Sequence, residues 1–366
     1  MKLFIPSLFL ALSFSICVTA IPGTARADEI TLMAVGDILP HPSWQPFEVP
    51  AARLFDGVVE TLFGADVVLG NLECPLTSQV QPTATKAKAS LDSKKEFVFK
   101  AESEDTAQGL KDAGFTVLAL ANNHMLDYRE EGLADTLSRL GKAGVKTIGG
   151  GADRDEAYRP AVVDARGLQM VFLNASDVVP KGYWAETDKP GIAIMKDEDA
   201  FIKRIKTARA DYPDAVLVLS LHWGVEATSN PTSRQQQLAH RFIDAGADAI
   251  IGHHPHRIQG VEIYRDRPIF YSLGNFQFDT KAPGDRSMIA RIMYAKGSRT
   301  PDKIEVMPVL IKEGGYPSVL GQDDKVYREI AGMLKELSAP LGSTLDGVSV
   351  VPLAEPSGKG EDYWGT

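Results

Sequence analysis

Ile30-Thr31-Leu32-Met33-Ala34-Val35-Gly36-Asp37 is an apolar, β-forming run closed by a glycine and an aspartate. The pattern of a short apolar run ending in polar side chains recurs along the chain. Asp66 to Leu69 runs into Gly70-Asn71-Leu72-Glu73, and Phe115 to Ala121 into Asn122-Asn123-His124, with Asp127 just after. Ala215 to Leu221 runs into His222-Trp223-Gly224, and Asp248 to Ile251 into Gly252-His253-His254-Pro255-His256. Helical patterns lie between these runs. Ala51 to Phe63 is one. A second is capped by Ser103, with Glu104 and Asp105 in a first turn that favours negative charge. A third ends near Gly141 before a strand at Val145 to Ile148, and a fourth spans Thr232 to Ala245. This alternation predicts an α/β fold with parallel strand pairs.

Other stretches read as antiparallel. Ala161 to Asp164 and Leu168 to Asn174 flank a turn at Arg166-Gly167, and Gly260 to Tyr264 and Pro268 to Ser272 flank Arg265-Asp266. Ile289 to Tyr294 and Lys303 to Ile311 continue the β-rich character, and Val326 to Leu337 adds a helix. Two mixed sheets are therefore expected, not one doubly wound sheet.

With 366 residues, 44% of them hydrophobic and 24% charged, the chain is neither disordered throughout nor collagen-like. Its 39 basic against 48 acidic residues give a net charge of −9, which argues against nucleic acid as a partner. At the N-terminus, Lys2, the apolar run Leu3 to Val18 and Ala25-Arg26-Ala27 have the form of a signal peptide, residues 1–27, for export to the periplasm or another extracytoplasmic space. The run is short of the roughly 20 residues a spanning helix needs, so a membrane contact is expected only through an uncleaved leader. Cleavage removes Cys17 and leaves Cys74, which reads as a small buried apolar residue. Thr77 to Glu96, with Lys86, Lys88, Lys94 and Lys95, is either a solvated loop or a basic flap over an anionic substrate. The tail 354–366 is expected to be loose.

In α/β sheets, sites form beyond the carboxyl ends of strands. Six of the seven histidines fall outside the helical patterns, and five of those six follow a strand end within four residues; His240, within a helix, reads as a surface residue. Imidazole, carboxylate and amide oxygen together suit one or two divalent ions such as Mn, Zn or Fe.

Taken in order, Gly36-Asp37, Gly70-Asn71-Leu72-Glu73, Asn122-Asn123-His124 with Asp127, His222-Trp223-Gly224, His254-Pro255-His256 and Tyr271-Ser272-Leu273-Gly274-Asn275-Phe276 resemble the CapA family. These are poly-γ-glutamate capsule synthesis proteins, similar to calcineurin-like metallophosphoesterases. The resemblance runs from Ile30 to Asp279. It implies a four-layer α/β/β/α sandwich of two mixed sheets within one domain, residues 28–353, in which residues 280–353 complete the fold. By motif, Asp37 would bind a first cation, Glu73 would bridge two, Asn123, His222 and His254 would bind the second, and His256 would return to the first. His124 would act on the reacting group, with Asp127 as its catalytic partner. Asn71, His41 and Asn275 would contact substrate. Two departures from the phosphoesterase pattern stand out. The usual D-x-H is missing, with His41 four residues after Asp37, and Glu73 replaces the usual bridging aspartate. The resemblance implies an exported, metal-dependent phosphoester hydrolase in capsule or envelope polymer biosynthesis, acting on an anionic polymer or phosphoester and partnered by a polymer synthase. The alternatives are a non-catalytic metal-containing partner of such a polymer or synthase, and hydrolysis of an amide by the same centre.

Overall fold

The computed structural model describes residues 29–40, 50–86, 97–343 and 348–350. The leader, His41, Lys88, Lys94, Lys95 and the tail 354–366 lie outside the described residues. The strands are β1 (Glu29–Ile38), β2 (Val67–Leu72), β3 (Val117–Ala119), β4 (Lys146–Ile148), β5 (Gly150–Gly151), β6 (Ala161–Ala165), β7 (Leu168–Ser176) and β8 (Gly191–Ile192). They continue as β9 (Val216–His222), β10 (Ala249–His253), β11 (Val261–Tyr264), β12 (Arg267–Phe270), β13 (Asn275–Gln277), β14 (Arg286–Ala295), β15 (Lys303–Lys312), β16 (Tyr316–Val319) and β17 (Val348–Val350). The principal helices are α1 (Thr106–Asp112), α2 (Arg129–Ala143), α3 (Glu198–Asp211), α4 (Ser233–Asp244) and α5 (Lys325–Ser338).

One sheet runs β16-β15-β14-β1-β2-β3-β4, with β13 added beside β1 and β17 beside β15; the other runs β11-β12-β10-β9-β7-β6. Both are mixed. β1 to β4 pair in parallel while β14 to β16 are antiparallel. In the second sheet, β7, β9, β10 and β12 are parallel, and the hairpins β6–β7 and β11–β12 fall at the two expected turns.

The two-residue period of a strand explains the layers. Along β1, Ile30, Leu32 and Ala34 enter a core shared with Phe172, Val218 and Ile251 of the second sheet. Met33 and Val35 face the opposite way, into a core with Leu110 of α1 and Leu133 and Leu140 of α2. On the far side, Leu217 and Leu219 of β9 pack against Phe201 of α3 and Phe242 of α4. Helices thus cover both outer faces, and the order is helix, sheet, sheet, helix. The central strands are apolar on both faces because both faces are buried.

Some boundaries differ from expectation. Ala51 to Phe63 is not one helix: it divides into a 3-10 segment, Ala51–Phe55, and a single turn, Val59–Leu62. Gly57 lies between them, and its carbonyl accepts from Val319 N at 3.3 Å, so the chain breaks to meet β16. Ser103 does not cap α1. Asp105 holds the cap position and itself receives the Ser103 hydroxyl. α4 begins as read, with Thr232 and Gln235 closing a capping box.

Two glycines set the site's geometry by close approach. A Cβ at Gly36 would lie 2.0 Å from Gly274 O, and one at Gly252 would lie 1.9 Å from Tyr271 O. Each glycine is within two residues of a prospective ligand. Gly252→Ala is expected to cost about 2–3 kcal/mol, because backbone would have to move. Urea unfolding measures this, and an unchanged midpoint would show that β10 and the segment just after β12 can separate freely. Among the described residues no helix is long and apolar enough to cross a membrane.

Candidate metal centre

The carboxyl ends of the parallel strands from both sheets converge at one edge. β1 and β2 place Asp37 opposite Asn71, and β9 and β10 place His222 opposite His253. Asp37, at the end of β1, has Oδ2 3.3 Å from His256 Nδ1 and Oδ1 3.4 Å from His253 Nδ1. Glu73, just beyond β2, has Oε1 3.7 Å from Nε2 of both His222 and His256. Donor atoms of Glu73, His222 and His254 all lie within 4.8 Å of one another, and so do those of Asp37, Glu73 and His256. Glu73 belongs to both sets. Asn123 joins the first, with its Oδ1 2.7 Å from His222 Nε2.

Both Glu73 carboxylate oxygens, and His254 Nδ1, are buried without a hydrogen-bond partner. A buried charge without a partner is costly, and a cation is the partner such atoms suit. The donor set fits divalent ions. His254 and His256 also adopt left-handed backbone, with φ of 96° and 53°, a strained choice for non-glycine residues that clusters at functional sites.

The electrostatics follow from burial and neighbours. Burial, and then the charge of Asp37, push the Glu73 carboxyl well up. Burial works against ionisation of Asp37 as well, but the His253 and His256 rings outweigh it and hold that carboxyl well down. For His256 burial is again opposed, by Glu73 and Asp37, and the ring is held up to about 10. Burial drives His254 down to about 3 and His222 well below the usual histidine value, the charge of a neighbouring histidine adding to it in each case. Burial thus favours at His222 and His254 the neutral ring that binds a metal, whereas the proton held by His256 is one a cation would displace.

His124 sits beside this cluster in a buried network. Its Nδ1 is 2.7 Å from Asp127 Oδ2 and 3.1 Å from Lys86 Nζ, and its ring stacks on Phe99 at 4.1 Å. Lys86 pairs with Asp127 Oδ1 at 2.6 Å and donates to Phe97 O at 2.7 Å. Asp127 also accepts from Tyr183 OH and from Phe99 N. Asp127 is fully buried behind the ring, where it orients His124. Lys86 corrects the expectation of a solvated or flap lysine, because its ammonium is buried on Asp127. Burial lowers the His124 pKa despite the Asp127 charge.

Two residues expected to touch substrate are occupied elsewhere. Asn71 is fully buried, donating to Asp37 Oδ1 at 2.8 Å and accepting from Asn122 Nδ2 at 3.2 Å. Asn275 bonds His256 Nδ1 at 2.8 Å and donates to Gly284 O. Each thus holds a member of the candidate donor cluster. The third, His41, lies outside the described residues. Cys74 is a buried free cysteine, its thiol pushed well up by burial and then by Asp127. His240 is not simply a surface residue, since it bonds Glu262 at 2.7 Å and stacks on Tyr264. Sequence reasoning missed Tyr183, whose contact with Asp127 spans 56 residues and leaves no local signal. It also missed Glu226, whose carboxylate groups with His254 and His256. Glu226 follows His222 by four residues, which was the available clue.

Comparison with known proteins shows the family. A capsule biosynthesis protein CapA of Bacillus anthracis is 32% identical over 313 residues, covering 83% of this chain and 73% of that protein. A PGA biosynthesis protein CapA of Bacillus subtilis is 37% identical over 257 residues, covering 70% of this chain and 64% of that one. Among solved structures, the sulfate thiohydrolase SoxB of Thermus thermophilus aligns with a TM-score of 0.42 and 15% identity, over 88% of this chain and 62% of that one. Residues 31–280, which carry every donor of the cluster, match the model of the bacterial capsule synthesis protein PGA_cap, and the chain belongs to that family.

Proposed function

We propose that the chain is an exported, metal-dependent hydrolase that cleaves a phosphoester in the making of an anionic capsule or envelope polymer. The relatives named for capsule and PGA biosynthesis support the setting, and a polymer synthase is the partner this setting suggests. The observation that carries the reading is the bare, buried Glu73 carboxylate shared between two sets of metal-ligating side chains.

Asp37, Glu73 and His256 would hold one cation, and Glu73, Asn123, His222 and His254 the other. Divalent ions held there supply Lewis-acid polarisation of a phosphoryl oxygen and acidify water at neutral pH. Glu73, common to both sets, would offset the repulsion between two such ions. Asn71 and Asn275 fix Asp37 and His256 through hydrogen bonds, the kind of support that tunes ligand orientation. His124 has Nδ1 engaged by Asp127 and Lys86, so Nε2 is the nitrogen left to give a proton to the leaving oxygen.

Elemental analysis of purified protein, followed by a phosphoester screen with added Mn²⁺, tests the reading. The wild type is expected to retain a divalent ion and His254→Ala to lose it. A wild type that takes up no metal even after loading removes the basis for hydrolysis. A metal-loaded chain inert to every phosphoester favours the non-catalytic partner.

A further inference from the structure

Glu226 is used by none of the motifs above. It stands in the turn after β9, and that turn is stitched to the end of β10 and the loop after it on both sides of Glu226. Trp223 N donates to His253 O at 3.1 Å, and Ala227 N donates to Pro255 O at 2.9 Å. The indole of Trp223 is buried and donates to Tyr271 O at 3.0 Å, which anchors the start of the turn. Gly224 follows at φ +91°, and a Cβ there would lie 2.7 Å from the Gln235 amide. The backbone beside Glu226 is thus fixed, while its side chain is exposed.

That exposed carboxylate has an oxygen within 4.8 Å of donor atoms of His254 and His256. Its charge also reaches Glu73, adding to the rise of that carboxyl. Glu73 therefore meets the cluster from the buried side and Glu226 from the solvent side.

The donor count is uneven. Glu73, Asn123, His222 and His254 offer four donors at one position. Among the described residues, Asp37, Glu73 and His256 group as three at the other, where Leu39 stands in place of the D-x-H histidine. Four protein or solvent donors are the usual minimum for a divalent ion such as zinc. His256 Nδ1 is held by Asn275 Oδ1, which leaves Nε2 to face a cation. Asp37 and Glu73 carry two negative charges against four positive charges on a pair of divalent ions, and a third carboxylate reduces that excess.

Resting on the reading of the centre given above, we propose that Glu226 is a further protein ligand of the centre, meeting from the solvent side the cation that His256 holds. It supplies from the β9 turn the donor that the missing histidine would have given. A ligand on the solvent side is also the one an incoming anion meets first.

Equilibrium dialysis of the metal-stripped full chain against Mn²⁺ tests this, with wild type, Glu226→Ala and Glu226→His compared. The wild type is expected to bind two ions. Glu226→Ala should keep one at wild-type affinity and bind the other at least about 10-fold more weakly. Glu226→His, which returns a donor of the missing type, should recover most of that loss. Because Glu226 is exposed, the stripped proteins should melt together, which separates a ligand from a structural residue. Two ions bound by Glu226→Ala at wild-type affinities overturn the proposal and leave the proposed function standing. A wild type that binds no ion fails at the level of the centre itself.

Discussion

Glu73→Gln is expected to lower metal content from two ions per chain toward one and to reduce turnover on the order of 100-fold. The amide keeps the shape of the side chain but lacks the charge that lets two cations sit close together. In the metal-free protein the sign reverses. The carboxylate is buried with no hydrogen-bond partner on either oxygen, so removing its charge should leave the stripped variant at least as stable as the stripped wild type. Metal analysis, activity and chemical denaturation of both forms read these effects separately. If Glu73→Gln holds two ions and works at full rate, Glu73 is only a buried residue beside β2.

His124→Asn should leave metal content intact and slow hydrolysis by about 10²–10⁴, the range a general acid supplies. The loss should fall on alkyl phosphodiesters, whose alkoxide leaves only with a proton. Nitrophenyl esters depart with less help and should suffer less. The geometry favours this separation. His124 points its Nδ1 away toward Asp127 and Lys86, whereas neighbouring Asn123 turns its oxygen to His222. Rates on the two substrate types, with metal assayed in parallel, decide the matter. Equal losses accompanied by loss of metal would make His124 a ligand and place the acid elsewhere.

Much of the fold was readable because strand ends announce themselves. Apolar runs stop at Asp37, Asn71, Asn122, His222 and His253, where the backbone emerges from between two helical layers. The two hairpins were readable for a similar reason, since Arg166-Gly167 and Arg265-Asp266 interrupt β-rich runs and both adopt positive φ. What sequence could not show was the direction each polar side chain takes. Asn71 and Asn275 look like substrate contacts in a motif, yet each hydrogen-bonds a member of the donor cluster, Asp37 or His256. Lys86 looks like solvated charge because its partner, Asp127, lies 41 positions away and is brought to it only by packing. Glu226 stands in a turn whose fixed shape depends on hydrogen bonds to residues near 255, and no local pattern encodes those.

The donors do not all come from one layer. Asp37, Glu73 and Asn123 follow strands of the sheet built on β1, whereas His222, His254 and His256 follow strands of the sheet built on β9. With cations bound, the centre would be a clasp between two halves already joined by apolar contact and by buried hydrogen bonds such as those from the Leu120 and Ala121 amides to Asn174 Oδ1. Opening the sandwich at this edge would then require releasing the ions. The strength of the clasp is set by supply outside the protein: free ion at 100 times its dissociation constant adds about 2.7 kcal/mol to the folded state. The same chain would accordingly be a sturdier object where divalent ions are plentiful than where they are scarce, with no change in a single residue.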